Sequence, residues 1–299
     1  MKRDFEISNI PPAAEDDRVG PEERLSTRPI GEIIRSVRHL SDTDVDHIIL
    51  VQRDRGMRFG EAAIALSLVS HADVMWALAQ QFHYPYPLEH LGPNHVELVV
   101  ASDPYSEQAE AFRDLRCQLM AQPESKRRPI AIVSADAGDG RTFVAANLAV
   151  AFSQLGERTV LVDANLRAPR LHKLFALEER PGLTDILVGR RVVRAIQPIA
   201  DLPGLHVMQV GTPPPNPLEL VQRRHFALML LELGRKFDRV ILDTPAGRNR
   251  ADARVIAGAC GQALLVGRKN HSRHHDLERM ATSLQRHRVE LAGVVVSNV

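Results

Sequence analysis

Residues 130–142 read IAIVSADAGDGRT, an apolar run that turns through two glycines into the helix-forming run Phe143 to Ala151. A buried strand followed by such a turn aims successive backbone N–H groups, and the positive end of the helix dipole, at one point where an anion can sit. Gly138 and Gly140 let the backbone approach closely, and Thr142 stands where a hydroxyl ligates Mg²⁺ in a phosphate-binding loop. The octapeptide Ala135 to Thr142 departs from that pattern twice. Ala135 holds the first glycine position, and Arg141 holds the lysine position, which replaces a compact point charge with a planar fork.

Further along, short runs rich in Val, Ile and Leu alternate with helical segments: Ile130 to Val133, Thr159 to Val162, Leu205 to Val210, Arg239 to Leu242, Ala263 to Val266 and Val294 to Ser297. That alternation is expected of strands buried on both faces of a parallel sheet, whose ligands bind beyond the strands' C-terminal ends. Two acids fall at such ends. LVDANLRAPR places Asp163 after the second run, with Asn165 and Arg167 beyond it, and VILDTPAG places Asp243 after the fourth. An Asp at one strand end commonly caps the next helix. A glycine loop and two carboxylates that converge on the same sheet edge supply what phosphoryl transfer needs: a phosphate cradle, Mg²⁺ ligands and positive charge.

Composition is that of a globular chain. Among 299 residues, 38 Lys and Arg nearly balance 37 Asp and Glu, so overall charge argues for neither a nucleic-acid partner nor a membrane surface. Two basic clusters, Lys126 to Arg128 and Arg268 to His275 (RKNHSRHH), read as solvated loops. His271, His274 and His275 have no Cys or paired acid at metal-ligand spacing. Cys117 and Cys260, far apart and in apolar surroundings, imply a reducing compartment, and hence the cytoplasm. No run of about 18 apolar residues marks a membrane span, so membrane association is expected to come through a partner.

Residues 1–26 are charged and rich in Pro and Gly, the pattern of a disordered tail. Within 27–90 an internal repeat aligns Ile30 to Gln52 with Phe59 to Gln81. Gly31 matches Gly60, Ser41 matches Ser70, and Asp44 matches Asp73. Each copy reads as a short helix, a break, an N-cap Ser with an acid three residues on, and a second helix. The repeat resembles the N-terminal domain of type II secretion and pilus assembly ATPases. It reads as a packing and docking module, and the resemblance also implies cyclic di-GMP as a ligand of related motifs. Where those motifs open with RLG, this chain has Pro29, Ile30 and Gly31 and then Arg58, Phe59 and Gly60, and Arg38 and Ser67 stand where they have a Gly before the second helix. Residues 91–104 read as a linker, Ser106 to Met120 as a helix, and 105–299 as the α/β domain.

The ordered set ADAGDGRT, LVDANLR and VILDTPA, with PYSEQAEAFRDLRCQLM, PGLTDILVG and GTPPPNPLELV between and around them, resembles the bacterial tyrosine autokinases of polysaccharide export. These are relatives of MinD-type deviant Walker ATPases, and the N-terminal repeat and Arg141 resemble the subgroup associated with chain-length determinants. The resemblance implies a P-loop α/β domain preceded by a small all-α repeat domain, with ATP and Mg²⁺ as cofactors. It implies nucleotide contacts from Ala137, Gly138, Asp139, Gly140, Arg141, Thr142 and Phe143, with Arg141 on the β and γ phosphates. Thr142 and Asp243 are implied as Mg²⁺ ligands, and Asp163 as an aid to the metal or a base.

Asn165 stands where the family usually has a second Asp, and an amide cannot accept a proton. Glu110, Arg113 and Arg116 match the family's ring-forming motif and share a helical face, which implies self-association. A membrane-bound polysaccharide chain-length regulator is the implied partner at the inner membrane. The family's C-terminal tyrosine cluster has no counterpart before Val299, so the expected acceptors are Tyr84, Tyr86 and Tyr105. A nucleotide-sensing scaffold and a MinD-like ATPase are the alternatives. Against the second, Asp136 and Ala137 stand where its signature lysine belongs.

Overall fold

The computed structural model describes residues 29–81, 95–121, 128–190, 192, 194–248 and 250–298, which fall into two compact units divided near residue 90. The tail 1–26, Tyr84 and Tyr86 lie outside the described residues.

The first unit consists of α1 (Ile30–Arg38), α2 (Asp42–Arg55), α3 (Phe59–Ala65) and α4 (His71–Gln81). Its two copies share one core of Ile33, Ile34, Ile48, Ala62, Ala63 and Ala77. The repeated Ser and Asp form the caps the spacing predicts: Ser41 Oγ accepts from Asp44 N while Asp44 accepts from Ser41 N, and Ser70 and Asp73 do the same. The repeated glycines are contact points. A Cβ at Gly31 would lie 3.3 Å from the Phe59 ring, and one at Gly60 only 2.6 Å from Val74 Cγ1. Arg38 of the first copy pairs with Asp73 of the second at 2.5 Å.

The second unit carries α5 (Val99–Ser102), α6 (Glu107–Met120), β1 (Ile130–Val133), α7 (Arg141–Ser153), β2 (Thr159–Asp163), α8 (Leu171–Leu174), α9 (Leu183–Leu187), β3 (Ile196–Pro198), β4 (Leu205–Met208), α10 (Pro217–Val221), α11 (Arg224–Lys236), β5 (Arg239–Asp243), α12 (Asp252–Cys260), β6 (Gln262–Arg268), α13 (His274–Arg286) and β7 (Glu290–Ser297). The strands form one sheet in the order β3-β4-β2-β5-β1-β6-β7, parallel except for β3, which runs antiparallel to β4. Alternation along the strands sorts the core into two layers. Ala131 and Val133 face a layer with Phe226, Met229 and Leu284, whereas Ile130 and Ile132 face one with Phe112, Leu148 and Phe152. A period of two on strands that are apolar throughout is what a sheet covered on both faces requires.

Four readings change. The sheet has an antiparallel edge, β3, which three residues ending in Pro198 do not announce as a strand. The last strand begins at Glu290 rather than Val294. Residues 95–102, within the stretch read as linker, fold against α7: Asn147 accepts from Val100 N at 3.1 Å and donates to Glu97 O at 2.8 Å, and Leu98, Val100 and Ala101 are buried. Cys117 is exposed, since it lies on the outer side of α6, while Cys260 is buried. Among the described residues no helix is long and apolar enough to cross a membrane.

Far from the sheet's C-terminal edge, Arg239 at the start of β5 ties together the end of α7 and the turn that leads into β2. Arg239, 6% exposed, donates to Glu157 at 2.6 Å and stacks 4.6 Å over the Phe152 ring.

Candidate functional site: a phosphate loop at the C-terminal sheet edge

The loop between β1 and α7 is shaped by two glycines in the left-handed region, Gly138 at φ 83° and Gly140 at φ 96°. Gly140 caps α7, and a Cβ there would lie 3.1 Å from Ser297 Oγ at the end of β7. Only glycine combines that φ with that closeness at low cost. The first N–H groups of α7, at Arg141, Thr142 and Phe143, have no acceptor within the helix and carry its positive dipole end.

The carbonyls of the loop are drawn to the protein side. Asp136 O accepts from Arg141 Nη1 at 2.5 Å, Gly138 O accepts from Arg268 Nη1 at 3.3 Å, and Ala137 O lies 3.4 Å from His271 Nε2. In a trans peptide the N–H points opposite to its carbonyl, so the N–H groups of Ala137, Gly138 and Asp139 are turned the other way, a geometry suited to an anion. Asp139 contributes its backbone only. Its buried carboxylate accepts from Asp136 N at 2.8 Å and from Ser272 Oγ at 2.7 Å, which staples the loop shut from below. Phe143 likewise turns its ring into the core, edge-on to Phe112 at 5.6 Å.

Arg141 is buried. Besides Asp136 O, it donates through Nε to Thr244 O at 2.8 Å and through Nη1 to Ser134 Oγ. Burial lowers its pKa, and the charges of Asp243, Asp139 and Asp136 oppose that shift. Its hydrogen bonds thus tie together the ends of β1 and β5 beneath the loop, whereas the sequence points to phosphate as its partner.

The two acids meet as the topology requires, because β2 and β5 are neighbours with Asp163 opposite Asp243. Thr142 Oγ1 donates to Asp243 Oδ2 at 2.6 Å. Asp243 Oδ1 is buried with no hydrogen-bond partner among the described residues. Asp163 accepts from three backbone N–H groups, those of Asn165, Arg170 and Leu171, at 3.0–3.2 Å. Burial raises both pKa values. The negative charge of Asp243 raises that of Asp163 further, while the Thr142 hydrogen bond and Arg141 hold that of Asp243 down. An orphaned carboxylate oxygen beside a helix-start hydroxyl is a donor set that fits a hard divalent cation.

Other expected residues are placed elsewhere. Asn165 closes its own turn, exchanging hydrogen bonds with Ala168 at 2.9 and 3.2 Å. Glu110 and Arg113 pair with each other at 2.6 Å, and Arg113 also donates to Pro104 O. Arg116 donates to Ala151 O at 2.6 Å. The arginines of α6 are therefore held within the subunit, while Glu110 remains 72% exposed.

The residues missed by sequence reasoning are Ser134, Arg248 and the stretch Arg268 to Ser272. Arg248 N donates to Ala135 O at 2.8 Å, and its guanidinium pairs with Asp136. The stretch at 268–272 is not simply solvated, as its composition implies, but packs on the phosphate loop. The available signal was its position directly after a strand, since a parallel sheet gathers every such turn at one edge.

The family model described as the CobQ/CobB/MinD/ParA nucleotide binding domain matches residues 130–299. The chain is 30% identical over 191 residues to tyrosine-protein kinase ptk of Acinetobacter johnsonii, a match that covers 64% of this chain and 26% of that protein. It is 30% identical over 170 residues to the putative tyrosine-protein kinase CapB of Staphylococcus aureus, covering 56% of this chain and 75% of that one. The kinase domain of the Escherichia coli tyrosine kinase ETK superposes with a TM-score of 0.64 at 29% identity, over 68% of this chain and 80% of that one. This chain therefore spans about a quarter of the length of relatives such as ptk.

Proposed function

The chain belongs to the CobQ/CobB/MinD/ParA nucleotide-binding family, and we propose that it is a Mg²⁺- and ATP-dependent protein-tyrosine kinase of exopolysaccharide biosynthesis, like the kinases it resembles. The observation that carries this reading is the Thr142–Asp243 contact at the mouth of the phosphate loop, with Asp243 Oδ1 left over.

In this proposal the N–H groups from Ala137 to Phe143 hold the nucleotide phosphates, and Thr142 and Asp243 hold the metal with Asp163 beside them. Bound Mg²⁺ supplies positive charge against the phosphate oxygens. Arg141 reaches the β and γ phosphates by giving up one of its carbonyl partners. The acceptor hydroxyl forms the new P–O bond, the bridging oxygen leaves on ADP, and Asp163 takes the phenolic proton.

The protein then acts in the cytoplasm, recruited to the inner membrane by a membrane-bound chain-length regulator, with no nucleic-acid partner. Self-association, as a ring, engages Glu110, Arg113 and Arg116 once Arg113 and Arg116 exchange their internal acceptors for a neighbour's. The helical repeat serves as a docking module. Cyclic di-GMP is a further ligand that the repeat's resemblance suggests for this module.

A second reading, a nucleotide-sensing scaffold with little chemistry, is favoured by Asn165, which closes its own turn instead of presenting a second acid. Purified chain with γ-labelled ATP and Mg²⁺, with and without the cytoplasmic segment of a candidate regulator, separates the outcomes. Labelled tyrosine supports the kinase, labelled inorganic phosphate alone makes it an ATPase, and nucleotide binding with neither product leaves the scaffold.

A further inference from the structure

A cavity of about 720 Å³ opens between α12, α13 and the turn after β5, bounded on one side by Ala135 of the phosphate loop. That volume lies in the range of small-ligand sites, roughly 300–1,000 Å³. One wall is a single face of α13, because His275, Arg279, Ser283 and Arg286 recur at helical spacing, and Arg254 of α12 lines the same space.

Many arginines of this unit are committed, Arg167 to Asp252, Arg190 to Asp185, Arg239 to Glu157 and Arg248 to Asp136 and Asp276, while others, such as Arg223, Arg224, Arg273 and Arg288, have no side-chain ion pair or hydrogen bond among the described residues. Among the described residues, the side chains of Arg254, Arg279 and Arg286 have neither an ion pair nor a hydrogen bond. The lining also holds two carboxylates, Asp276, which pairs with Arg248, and Glu278, which faces His274. The four arginines around the cavity outnumber them and leave it net positive. The hydroxyls of Thr282 and Ser283 add donors. No Phe, Tyr or Trp among the described residues lines the walls, so only His275 and the guanidinium planes offer surfaces on which a nucleoside base can stack.

We propose that this cavity binds a small phosphate- or diphosphate-bearing ligand, at a site that adjoins the phosphate loop but is distinct from the N–H groups of Ala137 to Phe143. Guanidinium forks match the paired oxygens of a phosphate, and a ligand with several such oxygens engages more than one fork at once. This inference goes beyond the kinase reading and does not rest on it.

The test is calorimetric titration of the full chain with pyrophosphate in the absence of Mg²⁺. Gly138→Asp adds a carboxylate to the phosphate loop to repel anions there; its Cβ meets only His271 Nε2, at 3.8 Å, but at φ 83° any side chain strains the backbone. A binding event should survive in that variant. Adding Arg279→Gln and Arg286→Gln should weaken the surviving event by at least about tenfold, while the same pair of changes in the otherwise native chain leaves Mg²⁺-ATP affinity as it was. Absent pyrophosphate binding, its complete loss in folded Gly138→Asp, or its indifference to the Arg changes overturns the proposal.

Circular dichroism checks that each variant folds, and if the paired changes or Gly138→Asp do not, Arg254→Gln on a different helix, tested in the native loop, replaces them. Co-sedimentation with phosphatidylglycerol vesicles is a parallel arm. Arginine-dependent vesicle binding without pyrophosphate binding would assign the face to a lipid surface and defeat the cavity reading. Failure of wild type to bind Mg²⁺-ATP with this event intact counts against the kinase reading alone.

Discussion

Thr142 Oγ1 lies 2.6 Å from Asp243 Oδ2, so the first turn of α7 is joined by its hydroxyl to the end of β5. The partner oxygen, Asp243 Oδ1, is buried and unbonded among the described residues. A buried acceptor without a donor costs about 1–3 kcal/mol, and a bound cation relieves that cost. Asp243→Ala and Thr142→Ala should therefore each weaken Mg²⁺-ATP binding in calorimetry by roughly tenfold or more. Their effect should shrink when Mg²⁺ is withheld. Unchanged affinity in both variants would remove the site assignment.

Arg141 poses a different question, because its hydrogen bonds run to Thr244 O, Asp136 O and Ser134 Oγ. Arg141→Ala orphans acceptors below the loop and should lower stability to urea by about 1–3 kcal/mol as well as weaken ATP binding. Lysine cannot span the same acceptors with one ammonium, so Arg141→Lys should recover nucleotide affinity more fully than stability. Full stability in Arg141→Ala would show that these bonds do not hold the loop.

The sheet was legible in the sequence because strands buried on both faces read as bare apolar runs, and because Asp163, Asp243 and the glycine loop all sit at strand ends. What was illegible depended on side chains meeting across the fold. Nothing local to RKNHSRHH says that Arg268 caps Gly138 O or that Ser272 holds Asp139, and nothing in the spacing of Arg113 and Arg116 reveals acceptors at Pro104 and Ala151. Helical periodicity places a residue on a face but does not name what lies opposite.

The paired acids should give the metal-free protein a distinctive pH dependence. Burial pushes the titration of Asp243 up to about 6, and burial together with the charge of Asp243 pushes that of Asp163 up to about 7, above the range of an unfolded carboxylate. Between the unfolded carboxylate range, about 4, and those values the folded chain binds more protons than the unfolded one, so this pair's contribution to stability is fully present below about 4 and is lost progressively until pH has risen through 6 to 7. The melting temperature of the metal-free protein should accordingly gain less, or fall, across that window relative to Asp163→Asn. Mg²⁺ with nucleotide should reverse the trend by favouring the ionised pair. Identical profiles for wild type and Asp163→Asn would show that the acids do not interact in this way.

In the helical repeat, matching glycines should respond differently. Glycine to alanine in a helix ordinarily stabilises by up to about 1 kcal/mol. At Gly60, however, the new methyl would stand 2.6 Å from a β-branched Val74, and overpacking of that kind costs about 1–3 kcal/mol. Gly31→Ala meets only the movable Phe59 ring at 3.3 Å. Denaturant unfolding should find Gly60→Ala destabilised and Gly31→Ala close to wild type; the opposite order would refute the packing described for Val74.

Tyr105 is 52% exposed and stands immediately before the N-cap of α6, the helix that carries Glu110, Arg113 and Arg116. If neighbouring subunits meet through that helix, Tyr105 is carried to the interface with it, and its hydroxyl is the one best placed to enter a neighbour's site. Autophosphorylation of the isolated chain should therefore be weak and directed to Tyr105. It should rise with protein concentration, because transfer between subunits is second order, and Arg113→Glu/Arg116→Glu should suppress it. Phosphopeptide mass spectrometry after Mg²⁺-ATP treatment reads the acceptor directly. Dominant modification at Tyr84 or Tyr86 would make the region beside the repeat, rather than the approach to α6, the substrate segment.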